Sequence, residues 1–225
     1  MIDYINISSS IDFIKYHEGI CVLDTQQDSS MDFGLKDSIY QNVFVNVDAY
    51  EGLESAFLGD SLKEAFRIIL IPSGIDQVLL YHHKEVIAKF LDKGGILLSF
   101  AQNYKEWLPG NSLYQVSQTP LKNRKILTCK HPITMGVRDY DITYRRGVCG
   151  FFSRGYFNPP KNAEIFLKDN ADCCVGYIDR DSTNGVILST AGADLFGYGL
   201  FEQSTAKRLG LNLLIYLAEI VKERC

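Results

Sequence analysis

A chain of 225 residues with 46% hydrophobic and 22% charged residues can bury one large core and has the composition of a folded globular domain, which excludes intrinsic disorder. A net charge of −4 argues against nonspecific nucleic-acid binding by the whole surface. The longest apolar runs, FRIILI and LNLLIYLAEIV, fall short of the about 20 residues that span a bilayer, and MIDYINISSS lacks the basic and then apolar order of a secretory leader. The expectation is a single cytoplasmic domain over residues 1–225 that makes no membrane contact.

In chain order, SSSIDFIKYHEG carries a serine N-cap at Ser9 or Ser10, a short helical pattern and a stop at Gly19. ICVLD then reads as a buried strand ending on the carboxylate of Asp24. The segment MDFGLKDSIYQ is helical or irregular. NVFVNVDAY is β-branched and aromatic enough for a second strand, and GLESAFLGDSLKEA is a helix interrupted by Gly59. FRIILIPSG is apolar without alternation, so both of its faces must be covered by helices. QVLLYHHKEVIAKFLDKGG is one amphipathic helix ended by Gly94, and GILLSF is the fourth strand. Helices alternating with strands predict right-handed β-α-β units and a mainly parallel sheet, an α/β fold.

After Trp107 the character changes. Residues 108–157 are rich in proline, aromatics and arginine, with the β-type runs KILTC, DITYRR and GVCGFF and no convincing helix, which predicts an irregular insertion after the fourth strand. AEIFLKD, CCVGYID and NGVILSTAG follow as strands, the last two joined by the hairpin-type turn DRDSTNG. A helix capped near Ser204 or Thr205 closes the chain, with basic residues in its last turn.

Six cysteines without C-x-x-C spacing, two of them adjacent, read as reduced and mostly buried thiols, with no zinc site. His82 and Glu85 share a helix face, but two ligands do not make a metal site. No Walker loop is present and GADLFGYG lacks dinucleotide-site spacing, so no cofactor is expected.

The phrases IILIPSG, FLDKGGILLSF, HPITMGV and NGVILSTAGADL, in that order before the last helix, resemble the class I glutamine amidotransferase-like superfamily. The resemblance runs from about Gly19 onward and points to its non-amidotransferase branches, such as trehalose-utilisation-type proteins and the middle domain of some β-galactosidases. It implies a flavodoxin-like three-layer sandwich. Active members place a cysteine in a G-x-C-x-G elbow after the fourth strand, with a late histidine and glutamate. The corresponding turn here, Ser99-Phe100-Ala101-Gln102-Asn103, has neither cysteine nor glycine, and the last histidine is His131. The departure implies a protein without glutaminase activity.

Asp24, Ser73, Gln102, Asn103 and Asp194 all follow predicted strands, and ligands bind open parallel sheets at their C-terminal edge, so these are the candidate ligand-binding residues; each carboxylate serves equally well as a turn or cap former. Ser99 with His131 is the one conceivable nucleophile and base. Residues 122–154 carry eight basic residues against two acidic ones, +6, leaving −10 for the rest. Arginines interleaved with aromatics suit a protein interface, with Arg138, Arg145, Arg146 and Arg154 as partner-binding residues, and suit nucleic acid through residues 122–157 as well. The reading is a non-catalytic interaction or ligand-binding protein, an accessory subunit of a larger assembly that binds a protein partner or itself. The alternative is a hydrolase or carbohydrate-processing enzyme using Asp24, Ser99, Gln102 or His131.

Overall fold

The computed structural model describes residues 6–25, 39–40, 43–59 and 65–224. Its first half consists of α1 (Ser8–Tyr16), β1 (Ile20–Asp24), β2 (Phe44–Asp48), α2 (Ala49–Leu58), β3 (Ile68–Ile71), α3 (Gln77–His82), α4 (Lys84–Asp92) and β4 (Ile96–Ser99). The short elements β5 (Gln115–Val116), β6 (Ile126–Thr128), α5 (Asp139–Thr143), β7 (Tyr144–Arg145), β8 (Val148–Cys149) and β9 (Gly155–Tyr156) follow. The chain then completes its sheet with β10 (Glu164–Asp169), β11 (Cys174–Asp179) and β12 (Val186–Thr190) and ends in α6 (Arg208–Glu223).

Among the described residues, eight strands form one sheet in the order β2-β1-β3-β4-β12-β11-β10-β6. From β2 to β12 neighbours are parallel; from β12 to β6 they are antiparallel. The fold is therefore mixed α/β with a large, mainly parallel sheet. Every residue of β1, β3, β4 and β12 is buried, as strands without alternation demand. On one face Val22, Leu70, Leu98 and Leu188 pack with Leu213 and Leu217 of α6. On the other, Leu23, Ile69 and Leu97 meet Phe57 of α2 and Phe90 of α4. Each such side chain contributes about 1.5–3 kcal/mol, which is why the central strands need no polar interactions to hold their place.

Several boundaries differ from the sequence reading, each for a local reason. The first helix begins at Ser8, with Ile7 at its N-cap and no side-chain cap bond, so Ser9 and Ser10 lie inside its first turn. Gly19 does end that unit: its φ is +75°, and a Cβ there would sit 2.6 Å from the Val43 carbonyl oxygen. α2 starts three residues before GLESAFL because Asp48 closes β2 and accepts from the Tyr50 N–H at 2.8 Å. Gly59 is the C-cap of this helix, and residues 60–64, the continuation predicted beyond it, lie outside the described residues. The helix predicted from Gln77 onward is two, parted at His83, whose N–H is shared between the Leu79 and Leu80 carbonyls, each at 3.2 Å. Most of the MDFGLKDSIYQ segment lies outside the described residues, as do residues 60–64 and Cys225. Of the cysteines, Cys21 and Cys174 are buried, whereas Cys129, Cys149 and Cys173 are partly exposed.

The region after β4 departs most from expectation. KILTC supplies β6, which joins the main sheet as its edge. DITYRR does not continue as a strand: α5 contains its first three residues, and only Tyr144 and Arg145 pair, with Val148 and Cys149. The reason is tertiary. Thr143 Oγ1 accepts from the Ile126 N–H at 2.9 Å and donates to the Ile126 carbonyl at 3.2 Å, and Asp139 Oδ1 accepts from the Thr128 N–H at 2.8 Å. α5 thus occupies backbone groups of the edge strand that would otherwise recruit another strand.

Beneath this region Arg124 is buried, contrary to its place in the basic surface stretch. Its Nε donates to Asp169 Oδ2 at 3.1 Å, its Nη2 to the Gly155 carbonyl at 2.6 Å, and its Nη1 to the Ser153 carbonyl. Asp169 Oδ1 in turn accepts from the N–H groups of Ala171 and Cys173. Removing the guanidinium strands a buried carboxylate, so Arg124→Ala is expected to lower unfolding free energy by about 3–5 kcal/mol in a denaturant titration.

Candidate functional site

β1, β3, β4 and β12 end on the same edge of the sheet, and the five nominated ligand residues all fall there. Chain order reverses around β1, with β2 on one side and β3 on the other, which makes the β1/β3 crevice a topological switch point. Asp24 is buried and its Oδ1 accepts from the Thr25 N–H at 2.7 Å. Thr25 Oγ1 accepts from the Asp76 N–H at 3.0 Å across that crevice. Asp76 caps α3 through the N–H groups of Val78 and Leu79 and accepts from the Tyr50 hydroxyl at 3.1 Å. Ser73 is exposed in the turn between β3 and this cap.

On the β4 side, Gln77 reaches from α3 to the loop: Nε2 donates to the Gln102 carbonyl at 3.0 Å and Oε1 accepts from the Tyr104 N–H at 2.8 Å. The Gln102 side chain lies against Gly192, where a Cβ would come within 2.7 Å of its Cγ. Asn103 is fully buried; its Oδ1 accepts from Ser99 Oγ at 3.3 Å and its carbonyl from the Tyr114 N–H at 2.8 Å. Asp194 folds its carboxylate back on the chain, Oδ1 accepting from Phe196 and Gly197 at 2.9 and 3.0 Å. Burial pushes its carboxyl upward, against the lowering effect of those two bonds. Asp24 and Asp194 therefore shape turns, whatever else they do.

The structure separates Ser99 from His131. β12 and β11 lie between β4 and β10, three strand spacings of about 4.8 Å or about 14 Å in all, and His131 stands beyond them with Nε2 3.7 Å from Glu164 of β10. His131 Nδ1 accepts from the Ile133 N–H at 3.2 Å, and burial holds its pKa down against the opposing pull of Glu164. It caps a turn; no serine and base pair is assembled. His82 and Glu85 fall on separate helices, α3 and α4, and no cluster of three or more His, Cys, Asp or Glu suited to a metal occurs among the described residues.

The arginines predicted to bind a partner converge more closely. Arg138 Nε is 3.3 Å from Asp141 Oδ2, Arg145 Nε is 2.7 Å from Glu202 Oε1, and Arg146 Nε is 3.9 Å from the same oxygen. Arg145 also lies over the Tyr198 ring at 5.8 Å. Burial pushes the Tyr198 phenol up to about 12, with Arg145 pulling the other way. A shallow cleft of about 440 Å³ opens between these pairs, its walls including Tyr140, Tyr144, Arg146, Phe201 and Glu202. The Tyr140 and Tyr144 rings stand 4.9 Å apart. Tyr140 and Phe201 are 65% and 63% exposed. The outermost cations, Arg138 and Arg146, are 73% and 83% exposed, while the carboxylates beneath them, Asp141 and Glu202, are 16% and 17% exposed. Arg154 is bound instead to the Gly150 carbonyl at 3.2 Å.

Sequence reasoning missed Phe201 and Glu202, which lie in a loop with no periodicity to mark them. It also missed a cleft of about 510 Å³ at the opposite end of the sheet, lined by Arg67, Lys93, Arg224 and Phe90. Lys93 and Arg224 follow helix ends, where a cation reads as a cap to the helix dipole.

No family model and no curated protein matches this sequence. Among solved structures the fold is similar to the cytoplasmic protein STM1381 from Salmonella typhimurium LT2, at 10% identity and a TM-score of 0.56 over 88% of this chain and 98% of that one. It is similar also to the cytoplasmic protein STM3548 from Salmonella typhimurium, at 11% and 0.53 over 88% and 98%. The mmIFT52 N-terminal domain matches at 11% and 0.50 over 89% and 97%. At such identity the likeness shows the fold alone. No helix of the described residues is long and apolar enough to cross a membrane.

Asp141 fastens one wall of the 440 Å³ cleft: its Oδ2 accepts from both the N–H and the hydroxyl of Thr205, at 2.9 and 2.5 Å. Burial pushes its carboxyl up, but these bonds and Arg138 outweigh it and hold the group below the ordinary carboxylate range. The stabilisation is therefore complete above the unfolded value of about 3.9 and is lost as pH falls through the folded value. Denaturant titrations from pH about 5 to about 2 are expected to show the wild type losing more stability than Asp141→Asn, with equal losses contradicting the assignment.

Proposed function

We propose that this protein is a cytoplasmic, non-catalytic interaction subunit of amidotransferase-like lineage, which engages a protein partner through the cleft between α5, the β7–β8 hairpin and residues 198–205. The observation that carries the reading is the exposed grouping of Arg146, Tyr140 and Phe201 around one concavity, with Arg138 ion-paired to Asp141 in its wall. Arginine and aromatic side chains dominate binding energy at interfaces, because each combines large contact area with directed polar or charged groups. Arg145 pairs with Glu202 of the cleft wall.

The lineage draws support from the parallel strands, which taken in chain order stand 2-1-3-4-5 across the sheet, the flavodoxin-like arrangement. The absence of catalysis draws support from the turn after β4. Ser99 is fully buried and committed to Asn103, so it presents no nucleophile to solvent. Affinity capture of the tagged protein from its native cells is expected to yield a stoichiometric partner that Arg138→Glu/Arg146→Glu loses. A capture indifferent to that double reversal would refute the reading.

A second reading places a ligand or a hydrolase at the C-terminal strand edge. It is favoured by Asn103, whose fully buried Nδ2 has no hydrogen-bond partner among the described residues. A panel of ester, amide and glycoside substrates is expected to show no turnover that Ser99→Ala or Asp24→Asn removes; turnover abolished by either change would make this an enzyme.

A further inference from the structure

The two edges of the main sheet are finished differently. At β6 the Ile126 backbone is bonded to Thr143 and the Thr128 N–H to Asp139, both from α5, so that edge is closed to another strand. At the opposite edge β2 pairs with β1 alone among the described residues. The Ile20 N–H donates to the Val43 carbonyl at 2.9 Å, and backbone groups of successive residues in a strand point to alternate sides. Val43, Val45 and Val47 therefore turn their N–H and C=O groups toward β1. Phe44 and Asn46 turn theirs outward, away from the sheet. Strand edges are ordinarily guarded by lysine, proline or a bulge. β2 carries none of these: Phe44-Val45-Asn46-Val47-Asp48 follows β1 without a register shift, and its one charge, Asp48, sits at the end as the N-cap of α2. Val45 is 37% exposed, and Asn46 is exposed beside it.

The sequence of β2 defines the occupant. Val45-Asn46-Val47 reads the same in both directions, so an antiparallel second copy centred on Asn46 sets each Val45 opposite the partner's Val47 and Asn46 opposite itself. The outward N–H and C=O of Asn46 then exchange bonds with those of the partner's Asn46, the hydrogen-bonded pair of an antiparallel ladder. The two carboxamides lie on one face, and each both donates and accepts, so they complement one another. Asp48 stands opposite Phe44, and no like charges meet. A parallel pairing in the same register would instead set Asp48 against Asp48, which like-charge repulsion disfavours.

We infer that β2 is a self-association edge, at which two copies of this chain pair antiparallel about Asn46 and join their two sheets into one. The surface is independent of the cleft described above: β2 and the α5-covered β6 lie at opposite edges of the sheet, so the dimer leaves that cleft free.

The test is sedimentation velocity on the intact protein from about 1 to about 100 μM, with Asn46→Pro run beside it. Proline is tolerated at an edge position whose N–H faces outward, so the variant's far-UV circular dichroism is expected to match the wild type. The wild type is expected to sediment as a dimer at the upper concentrations. Each Asn46→Pro dimer lacks two ladder bonds, and its dissociation constant is expected to rise at least about tenfold. Val45→Lys, which places a charge opposite the partner's Val47 and leaves the backbone intact, is expected to weaken the dimer equally and serves where the proline variant does not fold. Asn46→Cys is expected to form an intermolecular disulfide under mild oxidation, because the facing Cα atoms lie within disulfide reach, whereas the wild type with the same native thiols is not. A wild type monomeric throughout, a dimer that both edge variants retain, or an Asn46→Cys protein that cross-links no more than the wild type would each overturn the inference. A dimer lost only on Arg138→Glu/Arg146→Glu would overturn it too, by assigning self-association to the cleft.

Discussion

A single guanidinium, buried where the insertion meets the sheet, holds the insertion against the later strands in one arrangement. Arg124 joins the carboxylate that ends β10 to the backbone that leads into β9, and Ser153 extends the connection to the Ala191 carbonyl just past β12 at 2.6 Å. A neutral core could tether these segments by apolar area, but area does not choose among similar packings. A charged fork with three oxygen acceptors at set positions does, because any other placement of residues 153–155 leaves ionised or carbonyl groups buried without partners. The exposed surface built on the insertion inherits its geometry from that buried pair.

The sheet imposes the complementary constraint. Its central strands are apolar on both faces, so helices must cover both, and polar chemistry is confined to the loops at the strand ends. At the C-terminal edge those loops are knitted together by Thr25, Asp76, Gln77 and Asn103. Such bonds hold the turns closed over the sheet. At the end of β4, Ser99 points into protein and its hydroxyl serves the loop.

The uneven charge of the chain resolves into two classes of arginine. Arg124 works inside, where its charge is matched by Asp169 and two carbonyls. Arg138 and Arg146 work at the rim, where their partners are shielded and their own charge faces water. Arg145 stands between, half-exposed, stacked on Tyr198 and paired with Glu202. One run of basic residues in the sequence thus supplies a buried tether, a half-exposed ion pair and exposed rim cations, distinguished only by depth of burial.

Strong local patterns were legible before any coordinates. The runs ICVLD, IILI and ILLS carry no polar residue in their interior positions and VILST only Ser189, so all four read as strands. The turn between β11 and β12 was equally plain, as was the absence of a cysteine after β4. Periodicity and turn chemistry act over a few residues, so a linear reading captures them. The tertiary structure alone decided the rest. DITYRR has the composition of a strand, yet its Thr143, with Asp139 just ahead of it, is drawn into a helical turn by the open edge of β6. Arg124 looks like surface charge until Asp169, distant in the chain, meets it. Phe201 and Glu202 become part of a site only because the chain ahead of α6 passes beside the β7–β8 hairpin. Each of these depends on a long-range contact, and the free energy of such a contact is written in two segments at once, so neither segment's own pattern can reveal it.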